Sequence, residues 1–235
     1  MQVILASKSP RRKDLLVQVG MDPLVMDSYV EEVTEALSPE ALVRENAARK
    51  GRKVAAAVAP DALVIAADTV VADERGILGK PKDREEAVRM LRRLSGRTHK
   101  VHTGLYVSLG GKEHLSVTTT QVTFCPLTDR LIHRYIGTGE PMDKAGAYGI
   151  QGAAALFIPH IEGSYSNVVG LPLATLFTAL DELDVKLDDT TLLHARNCSR
   201  GTASGTAQAK RGQGPKRNGT IDHSHWFGNA QCIGP

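Results

Sequence analysis

Aromatic residues are scarce in this chain, 4% of 235 with a single tryptophan, so a core built from it must be mostly aliphatic. Cysteine is scarce too. Cys125, Cys198 and Cys232 lie far apart without metal-ligand spacing, which argues against a zinc module or a disulfide scaffold and fits a reducing cytoplasm. The longest nearly uncharged apolar run, 168–180, is too short to span a bilayer and contains Pro172. Met1-Gln2 runs straight into a strand-like segment, with no basic or apolar leader region. The expectation is a cytoplasmic protein with no membrane partner.

A strong excess of one charge is also missing. The formal net charge is +3, but residues 190–235 hold six Lys/Arg and one acid, Asp222, leaving 23 basic and 25 acidic residues in 1–189, a net of −2. The basic balance belongs to the end of the chain, and no specific nucleic-acid partner follows from it. From Thr190 onward small and polar residues dominate and apolar periodicity vanishes. Such a composition cannot bury enough surface to offset chain entropy, so 190–235 reads as a disordered basic tail behind a domain at 1–189. His223-Ser224-His225 in that tail lacks a credible metal-ligand set.

What the first 187 residues do contain is an alternation of strand-like and helix-like patterns. The run Val3-Ile4-Leu5 precedes a helix start with Ser9 as N-cap and Pro10 at the first helical position. Residues 21–30 read as extended. Ser38-Pro39 opens a second helix, and the continuous apolar run 62–67 reads as a strand covered on both faces. Val70 to Leu78 reads as a hairpin, and Asp83 with Glu86 as the cap of a helix ending at Gly96. A long hairpin turns at Gly110-Gly111, and Thr128 starts a short helix. A strand over 154–161 and a single helix over 166–183 complete the order. The fold class expected is α/β, a mixed sheet flanked by helices.

Several positions suggest chemistry. Arg11 and Arg12 fall in the first turn of a helix, whose N-terminus already carries partial positive charge; exposed N–H groups and guanidinium forks there suit phosphate oxygens. Asp68 follows the buried run at the expected C-terminal end of a central strand, where ligands of open α/β sheets bind. It reads as a metal ligand, a general base or a cap for the next turn. Lys80 sits in a stiff pre-proline context, Lys50 late on the second helix, and Glu31-Glu32 form an acidic pair before that helix. The segment 139–152 holds four glycines, which permit close backbone approach to a ligand, and Gln151, whose amide suits the edge of a base.

The motifs SKSPRR (7–12), the Glu32 region, Lys50, AADTVV (66–71), LGKP (78–81), LSGRTHKVHTG (94–104), GEPMDKAGAYGIQG (139–152) and NVVGLP (167–172) occur in that order. Over about 1–187 the chain resembles the Maf family of nucleoside triphosphate pyrophosphatases. The resemblance implies a fold like that of inosine triphosphate pyrophosphatases, a mixed, strongly twisted sheet with a cleft between two lobes. It implies cleavage of a nucleoside triphosphate between its α and β phosphates, with Ser7, Arg11, Arg12, Lys50 and Lys80 on the triphosphate. It further implies Glu32 and Asp68 on Mg²⁺ or Mn²⁺, and Asp68 as the proton acceptor that activates water. Glu31 remains an alternative to Glu32. Arg12, Thr69 and Gln151 match positions tied to specificity, and the form Lys144-Ala145-Gly146-Ala147-Tyr148-Gly149-Ile150-Gln151-Gly152 is that of members acting on dTTP and UTP. Alternatives are the same chemistry on a modified purine nucleotide such as 7-methyl-GTP, or a non-catalytic nucleotide-binding regulator of cell division. A homodimer is left open.

Overall fold

Strand β1 (Val3–Leu5) runs into α1 (Pro10–Gln18), and β2 (Leu24–Val25) leads by an irregular stretch to α2 (Pro39–Ala55). Strand β3 (Leu63–Asp73) forms a hairpin with β4 (Gly76–Leu78), followed by α3 (Arg84–Leu94). The long strands β5 (Thr98–Leu109) and β6 (Lys112–Thr123) precede α4 (Asp129–Ile136). Three 3₁₀ turns come next, Glu140–Asp143, Ala145–Ala147 and Ala153–Phe157, then β7 (His160–Glu162), α5 (Tyr165–Val169) and α6 (Leu173–Glu182). This computed structural model describes residues 1–34 and 38–185; the tail expected at 190–235 and its boundary at 189 lie outside the described residues. Among the described residues no helix is long and apolar enough to cross a membrane.

The strands form one seven-stranded mixed sheet in the order β2-β1-β3-β5-β6-β7, with β4 also on β3. β1 lies parallel to β2 and β3, and the remaining pairs are antiparallel. One edge of β3 is paired with β5 continuously from Val64 to Ala72. Its other edge is shared. β1 takes Leu63–Ile65 and β4 takes Val71–Asp73, so among the described residues no strand pairs with 66–70 there.

Side chains alternate across a strand, and the packing follows that period. On one face, α2 places Ala47, Ala48 and Val54 against Ile4, Val64, Ala66 and Tyr106. The opposite face carries two separate apolar clusters. Leu15, Leu16, Leu176 and Leu180 from α1 and α6 cover Leu63, Ile65 and Leu105; Leu91 and Ile132 from α3 and α4 cover Val71, Val101 and Val122. The scarce aromatics gather in the second cluster, where Phe124, Tyr135, Tyr148, Phe157 and His99 meet edge to face. Between the clusters, on the same face, Thr69 and Thr103 sit opposite each other in register. That polar seam lies beside the open stretch of β3 and stands between the two apolar clusters.

Two expected elements differ. Residues 154–161 are not one strand: Ala154 and Phe157 are buried while Leu156 is exposed, a spacing of three that seats a 3₁₀ turn before the short β7. The expected helix over 166–183 is two, α5 and α6, because Pro172 disfavours helical geometry at the residue before it. The extended segment expected over 21–30 shrinks to the two residues of β2.

Candidate active site

The turn after β1 is built around Arg12. Its NH1 donates to Ser7 Oγ (2.9 Å), its NH2 to Thr69 Oγ1 (3.1 Å) and its Nε to the carbonyl of Gly170 (2.8 Å). Three of its five N–H groups are thereby engaged, leaving one on each terminal nitrogen. Thr103 Oγ1 donates to the carbonyl of Asn167 (3.2 Å), so the 2.9 Å contact between Thr69 and Thr103 runs with Thr69 donating. The result is one directional chain from Arg12 through the polar seam to the α5 segment. Ser9 has N-cap backbone angles but, against expectation, no side-chain cap bond, and its own N–H turns to Ser7 Oγ (3.3 Å). Arg11 points elsewhere, to Asp143 Oδ2 at 3.0 Å. Burial works against ionising Asp143, but Lys144 and Arg11 outweigh it and hold its pKa at about 2.

Across the sheet, α2 comes down flush on β5. A Cβ on Gly104 would lie 2.2 Å from the carbonyl oxygen of Val43, so only glycine admits the helix this closely. Gly104 is the register partner of Asp68. Lys50, one-eighth exposed, then reaches Asp68 Oδ1 at 2.7 Å and Glu32 Oε1 at 2.5 Å. Burial opposes ionisation of Glu32; Lys50, then Lys80 and Arg12, outweigh it and hold the carboxyl below its ordinary value. Of the acidic pair, Glu32 is the carboxylate at Lys50, while the Glu31 carbonyl accepts from Arg49 (3.4 Å).

Asp68 is in the middle of β3, not at its end as expected. The parallel neighbour β1 stops at Leu5, opposite Ile65, so Asp68 lies beyond the end of the parallel pairing in the stretch whose outer edge is open. Its partners are the side chains of Lys50 and Asn46, and among the described residues it caps no turn. Asn46 was not singled out from the sequence. Its signal was an amide on the otherwise apolar buried face of α2, among Leu42, Val43, Ala47, Ala48 and Val54.

The segment 139–152 is organised by Glu140. Tyr135 OH donates to its Oε1 (2.8 Å), the Ala153 N–H to its Oε2 (2.9 Å), and Lys144 Nζ to its carbonyl (2.9 Å). A Cβ on Gly152 would fall 2.3 Å from that carboxylate, so the close approach at this glycine is by Glu140 rather than by a ligand. Gln151 and Lys80 are exposed and make no hydrogen bond among the described residues. The structure thus joins Ser7, Arg12 and Thr69 on one face and Glu32, Lys50 and Asp68 on the other, with Lys80 near enough to act on the Glu32 charge, and leaves Arg11 and Gln151 outside both groups. A cavity of about 740 Å³ opens elsewhere, among Glu40, Asp73, Arg97, Lys100 and His102, and none of the residues expected at the site lines it.

A family model described as Maf-like protein matches residues 2–183. The chain belongs to the Maf-like protein family. Among the relatives of this Maf-like chain, the dTTP/UTP pyrophosphatase of Agathobacter rectalis is 47% identical over 201 residues, 78% of this chain and 98% of that one. The dTTP/UTP pyrophosphatase of Geobacillus sp. (strain WCH70) is 52% identical over 174 residues, 74% and 93% of the two chains. That of Bacillus velezensis is 48% identical over 186 residues, 79% and 98%. Among solved structures, the dITP/XTP pyrophosphatase of Mycobacterium abscessus aligns with 54% of this Maf-like chain and 76% of its own, at TM-score 0.38 and 15% identity.

Proposed function

We propose that this Maf-like chain hydrolyses dTTP and UTP at the α–β phosphoanhydride, giving the nucleoside monophosphate and pyrophosphate and so removing excess or non-standard pyrimidine nucleotides. The observation that carries the reading is the convergence of Glu32 and Asp68 on the Lys50 ammonium, at the open stretch of β3. Two carboxylates directed at one cation are a donor set that suits Mg²⁺ or Mn²⁺, hard ions held by one or two carboxylates together with phosphate oxygens. When bound, the ion supplies charge neutralisation on the triphosphate. Lys50 would then exchange a carboxylate for a phosphate oxygen, alongside Ser7, Arg11, Arg12 and Lys80, while Thr69 and Gln151 would face the nucleoside. In the hydrolytic step a water oxygen bonds to one of the two bridged phosphorus atoms. The bond from that phosphorus to the bridging oxygen breaks, with the electron pair leaving on the oxygen, and the Asp68 carboxylate takes the water's proton.

The names of the relatives and the pyrimidine-type motif at 144–152 support the substrate class, and the three widely spaced cysteines support a cytoplasmic setting. The test is pyrophosphate release from a nucleotide panel with Mg²⁺. Hydrolysis of dTTP and UTP is expected at least ~10-fold above 7-methyl-GTP, about 1.4 kcal/mol in transition-state binding. Asp68→Asn keeps the shape and removes the charge, and turnover should fall on the order of 10²-fold. A panel led by the methylated purine, or a folded Asp68→Asn protein of undiminished activity, would overturn the assignment.

A further inference from the structure

Asn46 is 3% exposed and is the one polar side chain among the buried residues of α2. Its Oδ1 accepts from the Val33 N–H (2.8 Å), and its Nδ2 donates both to the Val33 carbonyl (3.0 Å) and to Asp68 Oδ2 (3.3 Å). The two Val33 bonds mimic one rung of a β-ladder and pin an irregular stretch of chain at the residue after Glu32. The third reaches the Asp68 oxygen that Lys50 leaves free, since Lys50 takes Oδ1. The orientation of the amide is forced. Flipped, its NH₂ would meet the Val33 N–H, and its oxygen would meet the Val33 carbonyl and the Asp68 carboxylate. A neutral donor steers the carboxylate without adding a second positive charge to a group that already holds Lys50, Glu32 and Asp68.

We propose that Asn46 is a positioning residue for the reaction: it fixes the Asp68 carboxylate and the Glu32 backbone to one another through a single amide. The proposal rests on Asp68 being the proton acceptor.

The decisive variant is Asn46→Asp, which keeps the size and the bond from the Val33 N–H but turns a carboxylate on both Asp68 and the Val33 carbonyl. In the full chain with Mg²⁺ and dTTP, kcat is expected to fall at least ~10-fold with KM within about twofold, because what is lost is alignment rather than substrate contact. Its Tm should fall as well. The exchange variant Asn46→Asp/Asp68→Asn restores an amide–carboxylate pair with the ends swapped. It should recover part of the lost Tm, the Val33 carbonyl staying without its donor, while remaining as inactive as Asp68→Asn alone. Asn46→Leu, similar in volume and without polar atoms, should show the same split between kcat and KM, and it decides the kinetic question if Asn46→Asp fails to fold. A folded Asn46 variant with kcat within twofold of the wild type, or a Tm loss that the exchange does not reduce at all, would overturn the proposal and leave Asn46 as a clamp on Val33 alone. If Asp68→Asn keeps full activity, it is the reading of the active site that fails, a result separate from the stability of the exchanged pair.

Discussion

The Nε of Arg12 donates to the carbonyl of Gly170 across 158 residues of chain, tying the first turn of α1 to the break between α5 and α6. The same guanidinium holds Ser7 and Thr69, so one side chain fastens three segments at the seam between the two apolar clusters. A lysine has one donor centre and cannot reproduce that planar fork. Arg12→Lys is therefore expected to lower stability by about 2 kcal/mol, within the range for charged hydrogen bonds, and to raise KM for dTTP. Chemical denaturation and steady-state kinetics on the same preparation check both effects.

Gly104→Ala tests whether the seating of α2 sets the site. The added methyl would strike the Val43 backbone, which cannot swing aside as a flexible side chain could. A destabilisation of about 2 kcal/mol or more is expected, with a loss of activity larger than unfolding explains, since Lys50 rides on the helix that is displaced. An equally stable Gly104→Ala protein would show that the helix has slack.

His99 gives a pH prediction. It is 2% exposed, its Nε2 contacts Tyr148 OH at 2.8 Å, and burial pulls its pKa from 6.5 down to about 4. The unfolded chain takes up this proton first as the pH falls, so the contribution is complete above about pH 6.5 and is lost between about 6.5 and 4. The size of this drift is on the order of 3 kcal/mol. Denaturation of wild type and His99→Gln at pH 7 and pH 5 should show the smaller decrease in the variant.

A chain ending at Asp189 should keep its Tm and its pyrophosphatase kinetics, since the family match closes at residue 183 and the excess positive charge lies beyond 189. Any effect of residues 190–235 should be a weak attraction to polyanions that disappears at physiological salt. Melting and nucleotide kinetics of both chain lengths at low and physiological salt decide this, and loss of activity at both salts would move the boundary.

Local chemistry made much of this legible. Ser38, Asp83 and Thr128 each accept the N–H three residues on, as their positions before apolar-periodic runs predicted, because capping is settled within one turn. The motifs likewise pointed to Glu32, Lys50 and Asp68, which the fold brings to one place. What escaped depended on partners distant in the chain. Asn46 is inconspicuous until Val33 and Asp68 are beside it, and Gly152 reads as a ligand contact until Glu140 is seen to fill the space. Asp68 looked like the end of a strand because the apolar run stops there; β3 continues because β5 pairs with it as far as Ala72 and β4 as far as Asp73.

The open stretch at 66–70 has one more consequence. An unpaired strand edge is a hazard in most sheets, since it templates the addition of a foreign strand. Here β1 closes the stretch on one side and β4 on the other, leaving five residues of β3 between them. An intruding peptide would need a longer straight run than that to pair in register. The fold can therefore leave five residues of β3 without a strand partner on that edge, Ala66 and Ala67 fully buried among them, without offering a seed for aggregation.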